Sequence, residues 1–221
     1  NEKIIPNLIS YQNYFCYGFT YSHFHKSLIE KQIKIPLFII SCFPDRSCIH
    51  INKSTPEYIT MFNPNEQKGG NIVLELVKRN PSKKFLLVKG WGNYIPEKYD
   101  FYNYKNAFII VPQHNVSHIY SYSRLVLFPS QWQEALGRIQ FEAAYNNIPI
   151  IGSHIGGIAE FFQENGLLID PVNDIDQWQL ALDKLDNEDF YNQSVQNCKK
   201  FDQFNSKDEI NKFLNILLET Q

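Results

Sequence analysis

Two glutamates in one short stretch are the side chains of this sequence best suited to bind a hydroxylated ligand. Glu134 lies in a polar loop, and Glu142 lies on the helix that Gly137 is expected to open. Glu142 follows Ile139 by three residues and directly precedes Ala143, which places it on the helix face expected to be buried. A buried carboxylate is unfavourable unless it is hydrogen-bonded. A vicinal diol, as in a ribose or a hexose, offers two O–H donors to one carboxylate, and free N–H groups at the start of the helix would attract a diphosphate.

The same spacing also has a simpler structural explanation. Arg138 lies one helical turn before Glu142, and such a pair stabilises a helix by about 0.3 kcal/mol. In that case Glu134 would be an ordinary loop residue. Lys68, which precedes Gly69 and Gly70, would likewise be an ordinary solvated lysine. Spacing alone leaves both interpretations open.

The elements that must position these residues alternate between short apolar strands and amphipathic helices from about residue 57. The predicted strands are 58–62, 85–88, 107–111, 125–128, 148–151 and 167–169. The predicted helices are one with an apolar stripe from 72 to 77, then 115–122, 137–146, 157–164, 174–186 and two more to the end. Because the strands are almost continuously apolar, both faces of the sheet should be covered. The sequence therefore predicts an α/β fold, a doubly wound parallel six-stranded sheet whose ligands bind at the carboxyl ends of the strands.

The N-terminal part of the chain does not follow this alternation. It is rich in tyrosine and phenylalanine, continues into a helix-like stretch to Lys34, and is followed by a strand-like run at 35–40 and a connector at 44–56. We predict that residues 1–50 are an N-terminal extension, the tail of a preceding domain plus a linker, and that residues 51–221 form the ligand-binding domain. Because the chain begins at Asn1 rather than methionine, we expect it to be a fragment of a longer protein.

Composition excludes several classes of protein. The 221 residues are 43% hydrophobic and 15% aromatic, which is typical of a folded core and not of disorder. A net charge of -2 without a long basic run argues against a nucleic-acid partner. The four cysteines form no Cys-x-x-Cys pair and none lies beside a histidine at zinc-ligand spacing, so we expect no metal site, no disulfide framework and a cytoplasmic location. We also find no apolar run of about 20 residues that could span a bilayer.

Glu134 and Glu142, with seven residues between them, resemble the paired-glutamate motif of the retaining nucleotide-sugar glycosyltransferases of the GT-B fold, also called group 1. The adjoining segments are similar to this family in order and spacing, over roughly residues 57 to 190. They are Phe128-Pro129-Ser130, Glu142-Ala143-Ala144, Asn147-Ile148-Pro149-Ile150-Ile151, Gly156-Gly157-Ile158-Ala159-Glu160 and Gly166-Leu167-Leu168-Ile169. The resemblance implies the C-terminal, donor-binding domain of such an enzyme.

The resemblance also implies a role for individual positions. Glu142 would hydrogen-bond the ribose hydroxyls of the nucleotide, and Glu134 would face the donor hexose. Lys68, with Gly69, resembles the phosphate-binding lysine of the family and would stabilise the departing diphosphate. Backbone N–H groups of three consecutive residues would approach the sugar hydroxyls and the phosphates: Ala135, Leu136 and Gly137.

One position departs from the family pattern. Many members carry an arginine five residues before the lysine as a second phosphate ligand, and this chain has Asn63 there. Arg138 could partly compensate for that arginine. A further candidate is His114, in a loop after a predicted strand. The backbone of that loop could hydrogen-bond to the edge of the nucleotide base. Gly156-Gly157 could admit a ligand closely or simply make a turn.

The implied reaction is transfer of a hexose, with retention, from a UDP-, GDP- or ADP-linked donor to an unknown acceptor, without an obligatory metal or cofactor. The acceptor domain would be N-terminal, in the same or another chain, so we expect the isolated chain to bind donor but transfer sugar poorly. The resemblance is compatible with polysaccharide biosynthesis and with an acceptor at the inner face of a membrane. A sugar-nucleotide epimerase and a non-catalytic nucleotide-binding or interaction domain remain alternatives. A nicotinamide oxidoreductase is disfavoured because Asn63-Pro64-Asn65 follows the first strand where Gly-x-Gly-x-x-Gly is needed.

Overall fold

The computed structural model describes residues 17–40, 48–49, 55–90, 94–162, 164–200 and 206–219, with the backbone alone for 206–210. The predicted tail before residue 17 and most of the predicted connector lie outside the described residues.

The described residues form eight strands, and six of them make one parallel sheet. The strands are β1 Gly18–Thr20, β2 Leu37–Ile39, β3 Tyr58–Phe62, β4 Lys84–Val88, β5 Ala107–Ile110, β6 Ser123–Phe128, β7 Ile150–Ser153 and β8 Gly166–Ile169. In the large sheet the order is β5-β4-β3-β6-β7-β8. The chain builds outward from β3 on one side and then from β6 on the other, so the strand order reverses between β3 and β6. Ligands of doubly wound sheets bind at such a reversal, beyond the carboxyl ends of the strands.

Helices connect the strands and cover both faces of the sheet. They are α1 His23–Glu30, α2 Gly70–Arg79, α3 Ser117–Tyr122, α4 Arg138–Tyr145, α5 Ile158–Phe161, α6 Ile175–Lys184, α7 Glu188–Cys198 and α8 Ser206–Glu219, with a 3-10 turn at Phe101–Asn103. On one face, Leu76 of α2 and Trp178 of α6 belong to the largest buried cluster. On the other face, Tyr120 of α3 and Ala143 of α4 pack with Val126 of β6. The predicted α/β architecture with six parallel strands is confirmed.

Several predicted boundaries differ from the observed ones by two or three residues, and two of them are explained by the local backbone. The strand predicted from residue 148 begins at Ile150, because the N–H of Ile148 donates to Ala143 and still closes the end of α4. Asn147 supplies the turn with a positive φ of 56°. The helix predicted to reach residue 164 ends at Phe161, with Phe162 already extended.

The N-terminal described segment is a small β-α-β unit that packs on the rest of the chain. Strands β1 and β2 pair in parallel on either side of α1 in the sequence. The ring of Phe19 contacts that of Phe213 in α8, with 5.2 Å between centroids. Among the described residues, no helix is both long and apolar enough to cross a membrane.

Candidate functional site

Lys68 and Glu134 form an ion pair across the point where the strand order reverses. Lys68 lies in the loop after β3 and Glu134 in the loop after β6, and Lys68 Nζ contacts Glu134 Oε1. Ser130 Oγ donates to the same oxygen at 2.9 Å. The two paired side chains are 27% and 16% exposed. Lys68 is therefore not an ordinary solvated lysine, and Glu134 is not an isolated loop residue.

Glycines allow the three loops around this pair to pack backbone against backbone. A Cβ on Gly69, which has a φ of 78°, would lie 2.1 Å from the carbonyl oxygen of Pro129. A Cβ on Gly156 would lie 2.6 Å from the carbonyl oxygen of Glu134, and the N–H of Gly157 donates to that oxygen at 2.7 Å. The Gly156-Gly157 pair thus serves close packing against the Glu134 loop, an explanation that the sequence did not offer.

Two helices begin at this ion pair without a side-chain cap. The N-cap of α2 is Gly69 and that of α4 is Gly137, each left-handed, with φ values of 78° and 76°. Within the part of the chain that the structure describes, no side chain forms a hydrogen bond at either cap. The first N–H groups of a helix carry partial positive charge and lack intrahelical acceptors. In α2 the N–H of Gly70 already donates to the carbonyl oxygen of Asn65, and that of Ile72 to Gly69. Lys68 and the start of α4 are therefore the groups that make the carboxyl end of β3 and β6 suited to an anionic ligand.

Glu142 is buried on α4, as its position on the helix predicts, with 8% of its surface exposed. Tyr120 OH donates to Oε2 at 2.7 Å, and Arg138 Nη2 donates to Oε1 at 3.1 Å. The pKa of Tyr120 is raised well above its usual range, mainly because the side chain is buried and also because the carboxylate of Glu142 is close. The ion pair with Arg138 considered from the spacing is therefore present, and it coexists with the burial of Glu142.

A cavity of about 380 Å³ opens at the Lys68–Glu134 pair. Its lining comprises Tyr21, Lys68, Phe128, Glu134, Ala135, Leu136, Gly137, Arg138 and Ile139. Glu142 is not part of this lining and lies behind Arg138, whose side chain is 64% exposed. Six of the residues predicted for the site therefore line one cavity, and a seventh, Glu142, contacts a lining side chain.

The structure places the remaining predicted residues outside this cavity lining. Asn63 has a φ of 55°, and its Oδ1 accepts from Asn65 Nδ2 at 3.1 Å. Asn65 Oδ1 in turn accepts from the N–H of Lys68 at 2.9 Å, so Asn63 acts on the loop that carries Lys68. Gly69 packs against Pro129, as described above. His114 is exposed in the loop after β5, an edge strand separated from β3 by β4.

The sequence did not predict every residue of the site, and Ser130, Tyr120 and Tyr21 are the most informative of those it missed. Ser130 belongs to the Phe128-Pro129-Ser130 segment that is similar to the family, so this similarity could have identified it as a site residue. Tyr120 lies on α3, where nothing in the sequence points towards Glu142. Tyr21 lies in the segment that we had assigned to another domain. Among the described residues, no group of three or more histidine, cysteine or acidic side chains could hold a metal ion.

Comparison with known proteins agrees with this architecture. The family described as "Glycosyl transferases group 1" matches residues 46–202. No curated protein sequence matches this chain. Sucrose-phosphate synthase from Thermosynechococcus elongatus is similar in structure, with a TM-score of 0.81 and 16% identity over 100% of this chain and 63% of that one.

Two further solved structures are similar in fold. HepE from Anabaena, solved in complex with UDP and glucose, has a TM-score of 0.81 and 15% identity over 96% of this chain and 66% of that one. A glycosyltransferase from Rickettsia africae has a TM-score of 0.77 and 16% identity over 95% of this chain and 66% of that one. This chain thus spans less than two thirds of the length of these three proteins.

Proposed function

Because this chain belongs to the group 1 glycosyl transferases, we propose that it is their donor-binding domain and that a nucleotide-diphosphate sugar binds at the Lys68–Glu134 cavity. The observation that carries the proposal is the convergence of Lys68, the Glu134 carboxylate and the start of α4 on one cavity. The cation and the N–H groups suit a diphosphate, and the carboxylate suits sugar hydroxyls. The site therefore offers complementary groups to both halves of such a donor.

In this proposal the diphosphate lies between Lys68 and the start of α4, and displaces the Lys68 ammonium from Glu134. Glu134 then accepts hydrogen bonds from the hydroxyls of the hexose, near the backbone N–H groups of Ala135, Leu136 and Gly137. As the bond between sugar and diphosphate breaks, negative charge grows on the leaving group. Lys68 and the start of α4 stabilise that charge electrostatically, without forming a bond to it.

Binding of the ribose by Glu142 requires a local rearrangement. Glu142 does not line the cavity, and its Oε1 is bonded to Arg138, which does. Arg138 has the more exposed side chain, so it is the group that moves aside for the ribose. Tyr120 then holds Glu142 in place, and the displaced guanidinium turns towards the diphosphate, where Asn63 supplies no positive charge.

The complete enzyme would transfer a hexose with retention at the anomeric carbon, and would take its acceptor on an N-terminal domain in the same or another chain. This chain alone would then bind the donor and transfer sugar poorly. A cytoplasmic enzyme of polysaccharide biosynthesis, acting on an acceptor at the inner face of a membrane, fits this proposal. The complex of HepE with UDP supports testing UDP-linked donors first, with GDP- and ADP-linked donors as the alternatives.

The proposal is tested by calorimetric titration of the wild type with UDP, GDP and ADP and with their glucose or mannose conjugates. We expect one nucleotide to be preferred, and Glu142→Ala to weaken its binding by about tenfold or more through loss of the ribose contacts. Glu57→Ala is the matched control, because Glu57 is an ion-paired carboxylate at the amino end of β3, away from the cavity. Equal and negligible binding of all nucleotides would contradict the proposal and favour a non-catalytic interaction domain. Conversion of the bound sugar into its epimer would favour the epimerase.

A further inference from the structure

Tyr21 of the N-terminal unit lines the same cavity as Lys68 and Glu134. It follows β1 directly and is separated from Lys68 by 46 residues of sequence. Its ring stacks on the imidazole of His25, with 5.8 Å between centroids and 12° between planes. About half of the Tyr21 surface, 48%, remains exposed. An aromatic ring of defined orientation therefore forms one wall of a cavity whose other walls come from the large domain.

Two sets of hydrogen bonds hold the Tyr21 segment against the cavity. Ser22 Oγ donates to the carbonyl oxygen of Ala135 and also caps α1 by accepting from the N–H of His25 at 3.0 Å. Glu160 of α5 accepts from the first two N–H groups of α1, from His23 at 2.8 Å and from Phe24 at 3.0 Å. A carboxylate at a helix N-terminus is stabilised by charge as well as by hydrogen bonding.

These contacts also determine which end of the cavity Tyr21 occupies. Ser22 bonds Ala135, the neighbour of Glu134, whereas Glu142 lies behind Arg138 and outside the cavity lining. Because Ser22 is bonded to the residue that follows Glu134, we infer that Tyr21 lies at the Glu134 end of the cavity, where the proposed function puts the sugar and not the ribose. Aromatic rings offer an apolar face to the C–H groups of a sugar ring and, in tyrosine, a hydroxyl at the edge.

We propose, on the basis of the proposed function, that Tyr21 contacts the sugar of the bound donor and separates sugar nucleotides from free nucleoside diphosphates. The N-terminal unit is then part of the donor site and not only a connection to an acceptor domain. Its role is selectivity, because the phosphates and the nucleotide have their own binding groups in the large domain.

The test compares two affinities in each protein, that for UDP-glucose and that for UDP, with GDP-mannose and GDP as a second pair. In Tyr21→Ala we expect the sugar nucleotide to bind about tenfold more weakly than in the wild type, while the affinity for the free diphosphate stays within about twofold. Tyr21→Leu keeps apolar volume without the ring and is the second variant if Tyr21→Ala does not fold. Tyr102→Ala, which removes a tyrosine that is 71% exposed and outside the cavity lining, should change neither affinity.

The possible outcomes separate this inference from the proposed function. If the two affinities fall together in Tyr21→Ala and Tyr21→Leu, or if neither falls, Tyr21 does not contact the sugar and the inference is wrong, although the donor site stands. If the wild type binds neither pair of ligands, the proposed function is contradicted and this inference with it. A fall confined to the sugar nucleotide supports both.

Discussion

Lys68 and Glu134 lie 66 positions apart in the sequence and form an ion pair at the mouth of one cavity. The pair joins the loops that follow β3 and β6, the two central strands between which the strand order reverses. Each charge is partly buried and partly compensated by the other. A ligand with a diphosphate and a sugar would replace this single contact by two, one between Lys68 and the diphosphate and one between Glu134 and the sugar hydroxyls.

We expect Lys68→Ala to weaken binding of the nucleoside diphosphate by about 10- to 100-fold, because charge-assisted hydrogen bonds to phosphate are lost and Glu134 is left as an unpaired negative charge. Calorimetric titration measures this loss. The matched control is Lys84→Ala, since Lys84 pairs with Glu57 at the amino ends of β3 and β4, away from the cavity. An unchanged affinity in Lys68→Ala would exclude Lys68 as a phosphate ligand.

Gly69→Ala should destabilise the protein and weaken ligand binding together. The new Cβ would meet the carbonyl oxygen of Pro129 at 2.1 Å, and an alanine with φ near 78° is strained by about 1–2 kcal/mol even without the clash. Gly152→Ala is the control, because a Cβ there meets its nearest neighbour, a side chain of Leu168, at an ordinary 3.4 Å. Urea unfolding should separate the two variants. Similar stability of both would show that the loops do not need the close approach.

Tyr120→Phe is expected to lower the free energy of unfolding by about 2 kcal/mol, because the buried carboxylate of Glu142 loses a donor. The phenyl ring should still pack against Phe62, at 5.3 Å between centroids, so packing changes little. Tyr122→Phe on the same helix is the control, since that side chain is half exposed. Equal urea midpoints for the two variants would mean that the hydrogen bond to Glu142 contributes no net stability.

The buried thiol of Cys198 predicts a pH dependence of stability at alkaline pH. Burial raises the pKa of Cys198 from 9.0 to about 12. The raised pKa favours the neutral thiol in the folded state, so its contribution is complete below pH 9 and is lost as pH rises from 9 towards 12. This group alone should reduce the free energy of unfolding by at most about 1.4 kcal/mol per pH unit in that interval.

Urea unfolding of the wild type and Cys198→Ala at pH 7, 9 and 10.5 tests this prediction. The quantity compared is the change in the free energy of unfolding with pH. The variant should be less stable at pH 7, because it loses buried contacts, but its stability should decline less steeply above pH 9. Parallel curves would rule out Cys198 as the source of the pH dependence. All other titrating groups are common to the two proteins.

Glu160→Ala should loosen α1 without unfolding the large sheet. Two helix N–H groups lose a carboxylate acceptor that lies 136 or 137 positions away in the sequence, at a cost of about 1–2 kcal/mol. Hydrogen exchange of the α1 amides should become faster, while that of β3 and β4 should not change. Glu75→Ala removes an exposed carboxylate of α2 and serves as the control. Unchanged exchange in α1 would show that Glu160 does not hold the N-terminal unit.

The sequence alone determined the alternation of the large domain and the local pattern around its glutamates. Continuous apolar runs become the strands β3 to β8, of which β3, β4, β6 and β7 are largely buried. The helical stripe that includes Ile72 and Leu76 becomes the buried face of α2. Such periodicity is a local property, since each residue faces the core or the solvent according to its own position in the element. The placement of Glu142 on the buried face of α4 follows from the same reasoning.

The tertiary structure alone decided which distant residues meet. The contacts of Lys68 with Glu134, of Tyr120 with Glu142, and of the Tyr21 segment with Ala135 all join separate elements. These contacts depend on the strand order and on the close approach of loops at glycines such as Gly69. Residue spacing along a single element predicts neither of these two features. Periodicity reports the direction in which a residue faces. The partner that it faces is determined by the packing of the whole sheet with its helices.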